Sequence, residues 1–288
     1  MDTTDTIMNI KQIYKTSTPA FSLEFFPPKQ NMEIVFETLE ELIEFGPKFV
    51  SVTSKSDGTN KDQTFDITSR IKNDYGIEGV PHLTCINSSR SEIYKNIIEI
   101  ADMGIRNVLA LRGDIPEGNI KSNFKHGYEL VTQIKTIRPD FCIGVAGYPE
   151  KHPEAESLES DIVYLKKKVD SGADFVITQM FFDNTYFSDF TDRIQKLNIT
   201  VPVVPGIMPV FSFKNINRFA KMCGVAIPQK LKTEMENFKD DPESISKLGI
   251  DHAVEQCSEL LDNGVPGLHF YTMNRTIQVR EILKQLQS

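Results

Sequence analysis

The sequence predicts an α/β protein, a single (β/α)8 TIM barrel with a helical insertion before the eighth strand. Three observations carry that reading. Short apolar runs alternate with segments of helical periodicity, and the alternation recurs eight times within 288 residues. The first predicted strand runs into Pro27-Pro28, where a doubly wound dinucleotide fold would carry a Gly-x-Gly-x-x-Gly turn. No linker rich in Pro, Gly or Ser and no low-complexity tract divides the chain, so residues 1–288 are expected to form one domain, with 1–18 an N-terminal extension belonging to it.

Phe21 to Phe26 is aromatic and strand-favouring, and the two prolines after it cannot continue a ladder. Ile34, Val35, Leu39, Leu42 and Ile43 then recur at helical spacing until Gly46-Pro47. Phe49–Thr53 reads as the second strand; a polar loop, Ser54 to Asp62, leads into a helix ending near Tyr75. Gly79–Cys85 is the third strand, followed by a helix that Ser91 opens and that carries Ile93, Ile97 and Ala101 on one face. Asn107–Arg112 is the fourth, stopped by Gly113; a long loop to about Lys125 precedes a helix with Leu130, Val131, Ile134 and Ile137.

Cys142–Gly147 is the fifth strand, with Leu158, Ile162, Leu165 and Val169 as its helical stripe. Asp174–Gln179 and Pro202–Gly206 are the sixth and seventh, followed by helices near Tyr186–Leu197 and Phe213–Cys223. An acidic, partly helical insertion spans Ile227 to about Gly249, and a further helix carries Val254, Cys257 and Leu261. Gly267–Tyr271 is the eighth strand and Thr276–Leu286 the last helix.

Composition narrows the class. Hydrophobic residues at 40% and charged residues at 25% are ordinary for a globular chain with a full core. No apolar run approaches the ~20 residues of a membrane span, and Met1-Asp2-Thr3-Thr4-Asp5 does not read as a signal peptide. A net charge of -8 without a basic cluster argues against nucleic acid. The four cysteines, Cys85, Cys142, Cys223 and Cys257, are far apart, which signals neither zinc nor disulfides and fits a reducing compartment. A cytoplasmic protein is expected.

Barrels of this type carry their chemistry at the C-terminal ends of the strands. There the sequence places Glu24, Thr53, His82 with Thr84, Arg112-Gly113-Asp114, Tyr148 with His152, Gln179, and Tyr271 with Arg275. Glu24 is a lone carboxylate in an aromatic run. It is either a rim residue turned to water or a group whose burial is used, since desolvation raises a carboxyl pKa. Any one of the others is more often a satisfied rim or core group than a ligand; their joint occurrence is the signal. Metal catalysis is poorly signalled, because the five histidines are scattered and H-E-x-x-H is absent. Nucleophilic catalysis is too, as no Gly-x-Ser-x-Gly occurs. Lys166-Lys167-Lys168 reads as a solvated helix face or as cations for a cofactor phosphate. These residues describe a barrel enzyme for a flat or anionic ligand, with acid–base help from Glu24 and Asp114.

Seven segments sharpen this. FSLEFFPPK (21–29), PHLTC (81–85), ALRGD (110–114), AGYPEKHPEA (146–155), ITQMFFD (177–183), PGIMP (205–209) and FYTMNR (270–275) resemble, in order, the 5,10-methylenetetrahydrofolate reductase family. The resemblance, to its stand-alone bacterial-type catalytic barrel, implies FAD at the strand C-termini and a ping-pong hydride relay. NAD(P)H gives hydride to flavin N5 and leaves; methylenetetrahydrofolate takes the same face, opens to a 5-iminium cation and is reduced to 5-methyltetrahydrofolate, feeding methionine synthesis. NADH is favoured over NADPH by analogy with stand-alone bacterial members. Relatives associate, so a homo-oligomer is expected, and no inhibition by S-adenosylmethionine.

By the same resemblance Glu24 is the general acid for ring opening, its pKa raised by burial towards working pH. Asp114 is the carboxylate that binds the pterin and favours the cation. Gln179 contacts folate and nicotinamide, Phe219 sandwiches the ligand, and Arg275 and Asn215 lie towards the folate tail. FAD would be held by Thr53, His82, Leu111, Arg112, Gly113, Asp114, His126, Gly127, Tyr148, His152, Ala155, Asp161, Tyr164, Lys167 and Lys168. Here Ser54-Lys55-Ser56 replaces a Tyr-Gly-Ala segment of the bacterial pattern, His126-Gly127 a Tyr-Ala, Tyr164 an Asn, Lys167 an Arg and Asn215 a Gln. The alternative reading is a flavoprotein reductase subunit that takes electrons from a protein partner.

Overall fold

A computed structural model of the chain describes residues 9–55, 60–115 and 122–288. Ser56 and the first eight residues, part of the expected N-terminal extension, lie outside the described residues. Strands β1 (Ala20–Phe25), β2 (Phe49–Val52), β3 (Glu78–Thr84), β4 (Asn107–Leu111), β5 (Cys142–Gly147), β6 (Phe175–Met180), β7 (Val203–Ile207) and β8 (Gly267–Tyr271) close into a parallel barrel in chain order. β1 pairs with both β2 and β8, so it has no free edge. The predicted strands fall within a residue of these at every position. Their apolar runs had to be dense, because barrel strands are covered on both faces.

Alternation along each strand sorts the side chains. On β1, Phe21, Leu23 and Phe25 point outwards into a core shared with helices α2 (Glu33–Leu42) and α11 (Ile277–Leu286). Ser22 and Glu24 point to the barrel axis, where Ser22 meets His269 and Glu24 meets Ser51 and His82. The insertion before β8 is two helices, α9 (Gln229–Asn237) and α10 (Pro242–Asp262); α10 absorbs the separate helix expected at Val254–Leu261.

The N-terminal mouth of the barrel is closed by α1 (Ile10–Thr16). Ile10, Ile13 and Tyr14 are buried among Phe49, Val80, Leu109, Cys142, Phe175 and Val204. Asn9 caps α1 through the Lys11 amide, and the Ile10 amide donates to Asn107 Oδ1 at 3.3 Å. Lys11 pairs with Asp174 at 3.2 Å just before β6. Sequence periodicity gave no hint of this helix, since seven residues span only two turns.

Candidate active site

At the opposite, C-terminal mouth lies a cavity of about 890 Å³. Its wall includes Glu24, Thr53, His82, Leu111, Arg112, Gly113, Asp114, His126, Gly127, Tyr148, His152, Ala155, Asp161, Tyr164, Lys168 and Gln179. Residues scattered over 155 positions of sequence therefore face one space. Lys167, Asn215, Phe219 and Arg275 are not among its lining residues. Lys167 instead projects over the Tyr164 ring at 4.6 Å, and the Arg275 guanidinium lies over Phe211 at 4.8 Å, beside a shallower cavity between α10 and α11. Asn215 sits in the first turn of helix α8 (Phe213–Cys223), its amide held by Ser212. Phe219, further along α8, packs against the apolar cluster of Met180, Phe182 and Met208.

Glu24 is 6% exposed and its backbone is fixed from β8. The Thr272 hydroxyl donates to Glu24 O at 2.6 Å. The Asn274 side chain brackets Phe26, accepting from its amide at 2.9 Å and donating to its carbonyl at 2.8 Å. The Glu24 carboxyl is met on Oε2 by His82 Nε2 at 3.3 Å, Ser51 Oγ at 3.4 Å and His269 Nε2 at 3.5 Å. Burial raises the pKa of this carboxyl, but charge interaction with His82 and hydrogen bonding from His269 and His82 outweigh burial and hold it down at about 2. This corrects the expectation that burial alone would set the pKa near working pH. The reason is tertiary: two histidines from β3 and β8 share the axis with it. Ser22, Ser51 and His269 escaped the sequence reading; inward alternation on β1, β2 and β8 was the available signal.

Arg112 forms a bidentate pair with Glu154 at 2.6 and 2.8 Å, and its Nε donates to Gly113 O at 3.0 Å. The chain turns at Gly113 with φ 87°, which a Cβ would strain, and presents Asp114 at the rim. Asp114 is exposed, with no ion-pair or hydrogen-bond partner among the described residues. His152 stands edge-on to Tyr148 at 4.8 Å, and its amide donates to Asp161 Oδ2 at 2.8 Å. Gly206 lets Tyr271 cross behind the site: a Cβ there would lie 2.3 Å from Thr178 O, the atom to which Tyr271 donates at 2.6 Å.

Of the lysine run, Lys166 pairs with Asp170, Lys167 turns out over Tyr164, and only Lys168 reaches the cavity. Burial pushes Lys168 down to about 8 against the opposing pull of Asp161. The helices α5 (Gly127–Ile137) and α6 (Leu158–Asp170) point their N-terminal turns at the same wall, through Gly127 and through Ser160 and Asp161. Among the described residues no group of three or more His, Cys, Asp or Glu is placed to hold a metal, and no helix is long and apolar enough to cross a membrane.

The methylenetetrahydrofolate reductase family model matches residues 9–287. This chain belongs to that family. It is 40% identical over 256 residues to the 5,10-methylenetetrahydrofolate reductases of Escherichia coli and Pectobacterium carotovorum, covering 88% of this chain and 86% and 85% of theirs. It is 40% identical over 282 residues to "Methylenetetrahydrofolate reductase (NADH) 1" of Arabidopsis thaliana, covering 92% of this chain and 48% of that one. The chain thus spans about half the length of its plant relatives and most of the length of the bacterial ones. Among solved structures, a Clostridium thermocellum protein described as binding two copies of 5-methyl-5,6,7,8-tetrahydrofolic acid matches with a TM-score of 0.67 at 16% identity, covering 96% of this chain and 97% of that one. At that identity the likeness is one of fold.

Proposed function

We propose that the protein reduces 5,10-methylenetetrahydrofolate to 5-methyltetrahydrofolate with a nicotinamide co-substrate, NADH being the favoured donor, through bound FAD. The observation that carries this is the convergence of Glu24, Asp114 and Gln179 with all of the flavin set except Lys167 on one cavity, in a member of this family. Three features of the cavity suit the dinucleotide. Its volume lies within the range of about 300–1,000 Å³ typical of cofactor sites. Lys168 and the N-terminal turns of α5 and α6 offer one cation and backbone amides to a pyrophosphate. His82 Nε2, buried at the cavity wall, makes no well-formed hydrogen bond, its near neighbour being the Glu24 carboxyl 3.3 Å away.

Bound FAD would supply the hydride relay between nicotinamide and folate; the chain supplies position and proton. Thr53, His82 and Leu111–Asp114 would bound the flavin end, and Tyr148, His152 and Lys168 the phosphate end. Gln179 would orient whichever substrate occupies the open face. Glu24 would protonate the departing folate nitrogen, and the Asp114 carboxylate side chain at the rim would favour the cation that results. The purified protein should be yellow, bleach with NADH and regain colour with methylenetetrahydrofolate, releasing 5-methyltetrahydrofolate. A colourless protein, or bleached protein that the folate leaves unchanged, refutes the assignment. Bleaching by a protein donor but not by NADH or NADPH would favour the partner-dependent reading.

A further inference from the structure

Beneath Glu24 lies a histidine that the cavity does not reach. His269 is 0% exposed, stacked on Phe49 at 5.8 Å with 18° between the planes and edge-on to Tyr271. Its Nδ1 is 2.8 Å from Ser22 Oγ; its Nε2 is 3.4 Å from Ser51 Oγ and 3.5 Å from Glu24 Oε2. The Ser22 hydroxyl has its own acceptor, Leu268 O, at 3.4 Å, which leaves its lone pairs for a proton on Nδ1. With Nδ1–H committed to Ser22, Nε2 is the nitrogen free to exchange a proton with the carboxyl. His82, Ser51 and His269 all converge on Oε2, while Oε1 has no partner among the described residues and Glu24 lines the cavity. One oxygen is tied to the interior column and the other is open to the ligand. A buried imidazole at this position costs desolvation that an apolar residue would avoid, so a use for it is expected.

The other groups around this column are few. Tyr14 on α1 lies near Ser22 without a well-formed hydrogen bond, and Tyr271 lies beside the ring on β8. Burial raises both hydroxyl pKa values, keeping them neutral. Glu24 on β1, His82 on β3 and His269 on β8 are left to share the mobile protons. Below the column lies the apolar plug that includes Phe49 and Phe175.

We propose that His269 is a positioning residue that stores, on Nε2, the proton Glu24 delivers to the folate. The Nε2–H bond breaks as an O–H bond forms on Glu24, leaving neutral imidazole with Nδ1–H on Ser22. The carboxyl then turns to bring that O–H to the cavity side, where the O–H bond breaks towards the folate ring nitrogen, which keeps the electron pair of its breaking bond to the methylene carbon. The imidazolium–carboxylate pair ends as imidazole and carboxylate, and the lost proton is on the folate. The inference rests on the folate-reducing reading above.

The test compares holoenzyme with His269→Gln, which can hydrogen-bond but cannot store a proton. Bleaching by NADH is expected to be near wild type, whereas reoxidation by methylenetetrahydrofolate should slow on the order of 10²-fold and lose its pH dependence. In His269→Ala, added imidazole should restore part of the rate. Independently of turnover, the isotope-edited infrared band of the protonated Glu24 carboxyl should appear at higher pH in His269→Gln than in wild type. An unmoved band, or reoxidation at wild-type rate with an unchanged pH profile, overturns the proposal. Should His269→Gln not fold, Ser22→Ala carries the same test on a smaller scale, with the infrared band again moving up. Wild-type protein that folate does not reoxidise refutes the folate reading, while the infrared result still decides whether the histidine governs Glu24.

Discussion

At its N-terminal end the barrel interior is an apolar aromatic plug, with Tyr14, Phe49 and Phe175 meeting at centroid distances of 6.1–6.2 Å. A few residues further along the same strands it becomes a column of hydroxyls, imidazoles and one carboxylate, open to a cavity of about 890 Å³. The strands are shared; the difference lies in which side chains the inward positions carry and in what covers each mouth. Helix α1 seals one end, so that end can be packed for stability. The other end is held by Thr272 and Asn274 on the backbone of Glu24 and Phe26 and by the Arg112–Glu154 side-chain pair, around an open cavity. Phe49 joins the two regions, lying in the plug and under His269.

If that division holds, changes at the open end should affect reaction and spare the fold, and changes at the plug should do the reverse. The largest effect is expected from Glu24→Gln. Reoxidation of the reduced flavin by methylenetetrahydrofolate should fall by about 10²–10⁴-fold, with flavin content and nicotinamide bleaching retained. Stopped-flow absorbance reads both halves; loss of the nicotinamide half as well would blur the division. The same variant should alter acid unfolding. A carboxyl held at about 2 instead of its ordinary 4.5 stabilises the fold above the higher value, and that contribution is lost as pH falls through the lower. Glu24→Gln should lack this acid limb in a denaturation series.

Next in size, Phe175→Ala should cost about 3–5 kcal/mol of stability through the cavity it leaves in the plug, measured by chemical denaturation. Turnover per folded molecule should be nearly unchanged. Asp114→Asn should slow the folate half-reaction on the order of 10²-fold and leave the melting temperature in place. Unaltered kinetics would remove Asp114 from the mechanism.

Lys168→Met should weaken flavin binding by roughly 10- to 100-fold, the worth of a hydrogen bond to a charged group. In wild type a bound pyrophosphate would favour the ammonium. Affinity should therefore be full below about pH 8, where the free lysine is already protonated, and decline as pH rises through that value. Fluorescence titration of flavin across pH should show that decline in wild type and not in the variant. The smallest effect is expected from Lys167→Ala, which removes a side chain stacked on Tyr164 outside the cavity. Stability should change by no more than about 0.5 kcal/mol, with flavin affinity unaltered. A large loss of affinity would put Lys167 among the cofactor contacts after all.

The fold was legible because its signals are local. Apolar strands, helical stripes and stops such as Gly46-Pro47 repeat in order, and a strand buried on both faces shows itself as a dense run. Strand-end residues such as Glu24, His82, Arg112 and Gln179 were legible as a set for the same reason, since barrel topology brings strand C-termini to one mouth. The helix α1 was not legible, because its stability comes from docking Ile10, Ile13 and Tyr14 into the barrel and not from its own seven residues.

The sequence by itself determined the barrel, its strand boundaries and the rim from which a site is built, all consequences of periodicity and residue type. Only the tertiary structure decided how Glu24 behaves. Its carboxyl shares the barrel axis with His82, 58 positions away, and with His269, 245 positions away. Electrostatic interaction falls off with distance in space and takes no account of distance along the chain. Closing β1 against β8 places an imidazole where burial alone would have kept the carboxyl protonated.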